Sequence, residues 1–79
     1  MKIQIAGPGC ARCKAVEQTV ITAVTELGLD ASVSKLSDVK EFAKLGVLMT
    51  PAVIVDGSVI ISGKVPSVED IKMLLQKTL

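Results

Sequence analysis

The chain has no histidine, tryptophan or tyrosine, and Phe42 is its one aromatic residue. Without aromatics there are no stacking platforms for single-stranded nucleic acid, and the core must be built from Val, Ile, Leu and Ala. Charge of one sign is also missing: nine basic against eight acidic residues leave a net charge of +1. Neither nucleic acid nor a membrane surface is therefore expected as a partner. No apolar run approaches the roughly 20 residues that span a bilayer. The opening MKIQIAGPG is too short and too strand-like for a signal peptide, and a cytoplasmic location is expected. In that reducing compartment a cysteine pair is catalytic or metal-binding rather than structural.

What is there suits one small globular domain, residues 1–79, with 49 % hydrophobic and 22 % charged residues. Ile3 and Ile5 alternate with Lys2 and Gln4, which predicts a strand over 2–6. Gly7-Pro8-Gly9 turns the chain. From Ala11 to Leu27 nothing breaks a helix, and Cys13, Val16, Val20, Val24 and Leu27 recur along one face, with Gly28 placed to end it. A weaker strand is predicted over 30–36. Asp38 with Glu41 has the spacing of a capping box for a short helix holding Val39, Phe42 and Leu45 and closed by Gly46. Ala52–Val55 and Val59–Ile61 flank an Asp-Gly turn, a strong hairpin signal. Ser67 and Asp70 cap a last helix carrying Val68, Ile71, Leu74 and Leu75, with Lys72 and Lys77 towards its C-terminal end. The expected class is α/β: order β-α-β-α-β-β-α, a four-stranded mixed sheet with three helices.

The only cysteines, Cys10 and Cys13, lie in GPGCARCKAVEQTV. Cys10 falls at the junction of loop and helix, where unpaired backbone N–H groups and the helix dipole favour thiolate. Arg12 and Lys14 add cations nearby, with no acid before Glu17. Cys13, one turn in, shares the apolar stripe with Val16 and Val20 and should be more buried and less ionised. An exposed thiolate that attacks, backed by a covered thiol that resolves, is what dithiol exchange needs. Two other readings remain open. The pair could be small core residues, or it could carry a soft metal. A closed zinc site wants four ligands and the chain has no further Cys or His, so two thiolates would suit Cu(I).

The β-α-β-α-β-β-α order, CARC at the first helix and Met49-Thr50-Pro51 ahead of the third strand together resemble the thioredoxin superfamily. The likeness is strongest to its small, glutaredoxin-sized "redox-active disulfide" proteins of archaea and anaerobic bacteria. The resemblance implies a dithiol–disulfide oxidoreductase in which Cys10 attacks and Cys13 resolves, with no cofactor beyond the Cys10–Cys13 disulfide. It implies that Pro51 follows a cis peptide bond against the disulfide, that the Thr50 main chain pairs with substrate, and that Gly63 allows close approach. Its partners would be disulfide-containing proteins and a thioredoxin-reductase-like or other thiol reductant, acting on a monomer.

There are departures from the family pattern. Gly9 replaces the Trp before the first Cys, and Gln4 stands where the family buries an Asp as proton acceptor for the second Cys. Lys35 matches the Lys that pairs with that Asp, and is expected either to assist Cys13 or to be a solvated surface lysine. Ser62-Gly63-Lys64-Val65-Pro66 replaces the glutathione-binding Gly-Gly and acidic cap, which favours another reductant. The first half, with GxxCxxC, is also similar to heavy-metal-associated domains, but those end in a strand, whereas here a hairpin and a capped helix follow. A third reading is a redox-regulated interaction module, with Val47, Leu48 and Met49 either as an exposed apolar set that suits protein partners or as a buried loop.

Overall fold

The computed structural model describes residues 1–7 and 11–78, the side chains of Val39 and Thr78 excepted. Its elements are β1 (Lys2–Ala6), α1 (Ala11–Leu27), β2 (Ser32–Leu36), α2 (Val39–Leu45), β3 (Ala52–Val55), β4 (Ser58–Ser62) and α3 (Val68–Thr78). The strands form one sheet in the order β2-β1-β3-β4. β1 and β2 run parallel, as strands joined by a helical crossover do. β3 pairs antiparallel with both β1 and β4. The class is the expected thioredoxin-like α/β arrangement of three helices on a four-stranded mixed sheet.

Alternation along the strands gives each face its own core. Ile3 and Ile5 of β1 and Val53 and Val55 of β3 face one side, under Val16, Val20, Ala23 and Val24 of α1 and Ile71 and Leu75 of α3. Ala6, Ala52 and Ile54 face the other, packed with Phe42 of α2 and with Val47. β3 is buried along its whole length because both its faces are covered. Each fully buried Ile, Leu or Val here is worth about 1.5–3 kcal/mol of transfer free energy. In a chain whose one aromatic is Phe42, these small increments must supply most of the core.

Local signals account for the element ends. Ser67 and Asp70 cap α3 reciprocally: Ser67 N–H donates to Asp70 Oδ2 at 3.2 Å, and Asp70 N–H to Ser67 Oγ at 3.1 Å. At α2 a simple N-cap forms in place of the expected box. Asp38 Oδ1 accepts from Lys40 N–H at 2.9 Å, while the Glu41 carboxylate pairs with Lys44 at 3.4 Å. Gly46 closes that helix at φ 82°.

Asp56 (φ 48°) and Gly57 (φ 86°) both take positive φ, the two-residue hairpin turn that an Asp-Gly pair favours. The turn is anchored to β1: Lys2 N–H donates to Asp56 Oδ1 and Asp56 N–H to the Lys2 carbonyl, each at 2.8 Å. β2 begins at Ser32 rather than residue 30, because pairing with β1 starts at Lys2↔Ser32. β4 extends past the expected 59–61 to Ser58–Ser62. The register steps from Val53↔Ile61 to Ile54↔Val59, leaving Ile60 as a bulge residue. Lys72, read as a helix-end cation, instead sits 3.3 Å from Glu26 of α1 and ties the two helices together.

Candidate active site

The site lies where β1 delivers the chain to α1. Gly7 N–H donates to the Leu36 carbonyl at 2.9 Å, so the end of β1 is held to the end of β2. Cys13, in the first turn of α1, is 6 % exposed and packs directly over Gly7. A Cβ added at Gly7 would overlap Cys13 Sγ and lie 3.0 Å from Cys13 Cβ. The bare glycine is what allows the sulfur to sit against the sheet. Cys10, the other half of the motif and the expected attacking residue, lies outside the described residues, as does Gly9.

A second wall comes from the turn before β3 and the end of β4. The Thr50–Pro51 peptide bond is cis, and Pro51 is fully buried while Thr50 is half-buried. Gly63, at φ 73°, donates its N–H to the Pro51 carbonyl at 2.8 Å. Ser62 Oγ donates to the Met49 carbonyl at 3.2 Å. Arg12 reaches across from the start of α1, and its Nη2 donates to the Gly63 carbonyl at 3.2 Å. One chain of hydrogen bonds thus links Arg12, Gly63 and Pro51. Arg12, expected as a thiolate-tuning charge, has a structural partner in Gly63.

The other charged residues gather behind Cys13. Ile5, Gly7, Cys13, Lys14, Glu17 and Lys35 line a cleft of about 20 Å³. Lys35 stands beside Ile5 in the parallel register, so it projects towards α1. Its Nζ lies 3.2 Å from Glu17 Oε2, and the Lys35 side chain is 62 % exposed against 21 % for Glu17. Exposed lysine it is, but not a solitary one.

Gln4 pairs with Ile54 and shares the α2-facing side of the sheet, opposite this cleft. The apolar set 47–49 divides between its two readings: Val47 is buried, 7 % exposed and in one cluster with Phe42 and Ile54. Leu48 and Met49 are exposed, at 92 % and 62 %. Sequence reasoning passed over two residues here. Gly7 reads as an ordinary turn residue, and only the packing shows its contact. Glu17 reads as the first acid of α1, although its place four residues after Cys13, on the same helix face, was the available signal.

A buried cysteine in the first turn of the helix after β1, a cis proline ahead of β3 and a β2-β1-β3-β4 sheet together define the thioredoxin-like class. Residues 1–76 match the thioredoxin domain family. The chain is 43 % identical over 75 residues to a thioredoxin of Methanothermobacter thermautotrophicus, covering 95 % of this chain and 97 % of that protein. It is 44 % identical over 77 residues to a thioredoxin of Methanocaldococcus jannaschii, covering 98 % and 88 %. The chain belongs to the thioredoxin family, a family of thiol–disulfide oxidoreductases. Among the described residues no helix is long and apolar enough to cross a membrane.

Proposed function

We propose that the chain reduces disulfides in other proteins through a Cys10–Cys13 dithiol. The observation that carries this reading is the placement of Cys13, buried in the first turn of α1 against Gly7, three residues after a second cysteine. The Cys10 thiolate attacks one sulfur of the target disulfide, forming a mixed disulfide and releasing one target thiolate. Cys13 then attacks the Cys10 sulfur, closing the Cys10–Cys13 disulfide and releasing the second. Two electrons pass from the dithiol to the target, and a dithiol reductant returns them.

Target chain would lie along the Thr50 backbone as an added strand, near Gly63, whose missing side chain leaves space that the Met49 side chain packs against. Exposed Leu48 and Met49 at the rim favour a polypeptide substrate with apolar residues near its cysteine. The electron donor would be a thioredoxin-reductase-like protein or a low-molecular-weight thiol other than glutathione.

The test is reduction of insulin disulfides by the wild type, Cys10→Ser and Cys13→Ser. The wild type should catalyse reduction, Cys10→Ser should be inactive, and Cys13→Ser should accumulate a mixed disulfide. A wild type that reduces no disulfide but binds one equivalent of Cu(I) tightly would replace this reading with soft-metal carriage.

A further inference from the structure

Resolution of the mixed disulfide requires Cys13 to lose its proton, because the thiolate is the nucleophile. Cys13 is 6 % exposed, so its thiol has little access to bulk water as a proton acceptor. The structure places one carboxylate behind it. Glu17 lies four residues on along α1, the spacing that stacks side chains on one helix face. Both residues line the same small cleft. Glu17 Oε2 is sealed from solvent and has no hydrogen-bond donor among the described residues. Lys35 Nζ, 3.2 Å away, supplies charge without hydrogen-bond geometry. The ion pair leaves that oxygen free to accept a hydrogen bond, and the cleft that Glu17 and Cys13 line, about 20 Å³, has room for one water molecule.

We propose that Glu17 is the proton acceptor for Cys13 in the resolving step. The inference rests on the dithiol reading above. The Cys13 S–H proton passes through the cleft to the Glu17 carboxylate as Cys13 Sγ attacks the Cys10 sulfur. The Cys10–Cys13 bond forms and the Cys10–target bond breaks. The released target thiolate takes up a proton from solvent, and Glu17 gives its own back to solvent. Around the cleft, α1 contributes Lys14 as well as Cys13 and Glu17, β2 contributes Lys35, and β1 contributes the uncharged Ile5 and Gly7. Lys35 holds the carboxylate in place from the sheet side. Its part in the reaction is to position Glu17.

The test is the reaction of the reduced protein with 5,5′-dithiobis(2-nitrobenzoate), in which attack by Cys10 and resolution by Cys13 each release one thionitrobenzoate. In Glu17→Gln the first release should change by less than about twofold, and the second should slow by about tenfold or more at neutral pH. The deficit should close at alkaline pH, above the ordinary thiol range near about 8.5. Equal second phases in wild type and variant across pH, or equal slowing of both phases, would overturn the proposal. A single release from the wild type would overturn the dithiol reading and the proposal with it.

Should Glu17→Gln not fold, a second measurement uses Cys10→Ser, in which Cys13 is the lone thiol. The carboxyl carbon resonance of Glu17 should respond as Cys13 ionises at alkaline pH. A resonance indifferent to that ionisation would overturn the proposal.

Discussion

Gly7 and Cys13 compete for one volume: a Cβ on Gly7 would overlap the Cys13 sulfur. Gly7→Ala must therefore rotate the thiol away or push α1 off the sheet. Overpacking of this kind costs about 1–3 kcal/mol. Urea denaturation should report that loss, and the second thionitrobenzoate release should slow because the resolving sulfur has left its place. A variant as stable and as fast as the wild type would contradict the close packing described here.

Arg12→Met removes the donor to the Gly63 carbonyl. For an exposed bond the expected loss of stability is about 0.5–1 kcal/mol. If the guanidinium also favours the Cys10 thiolate, the pH midpoint of Cys10 alkylation should move up by a fraction of a unit, and added salt should erase the difference. An unchanged midpoint would leave Arg12 with the Gly63 contact alone.

Leu48 is 92 % exposed next to the Thr50–Pro51 turn. Leu48→Ser should change stability by no more than about 0.5 kcal/mol while raising KM for insulin and leaving the rate with a small disulfide unchanged. Equal KM values for insulin would remove Leu48 from the proposed contact surface.

Leu75 joins α3 to the core under α1 and is fully buried. Leu75→Ala should cost about 2–5 kcal/mol. Small domains hold only about 0.05–0.15 kcal/mol per residue, so the variant should be partly unfolded at physiological temperature, visible as lost helical circular dichroism.

The elements easiest to read from sequence were those with both a periodic face and a terminating residue. α1, uninterrupted from Ala11 and followed by Gly28, is one, and the Asp56-Gly57 hairpin is another. Edges set by tertiary pairing were less legible. β2 starts where Lys2 is available to pair with Ser32, and Ile60 bulges where the β3–β4 register shifts between Val53 and Ile54. Val47 reads equally as exposed or as buried loop, and only its clustering with Phe42 and Ile54 decides for burial. At the site, cysteine spacing and Thr50-Pro51 carry local signals. Glu17 carries none beyond its helical phase with Cys13, since its significance depends on Lys35 approaching from a different element.

The most direct test of the account is the two-electron reduction potential of the Cys10–Cys13 couple, measured against a glutathione or dithiothreitol buffer with insulin reduction followed in parallel. The account predicts a reversible couple between roughly −270 and −200 mV, the span of thioredoxins and glutaredoxins, with catalysed reduction of insulin. A pair that forms no reversible intramolecular disulfide, or a potential well outside that span together with no insulin reduction, would contradict it.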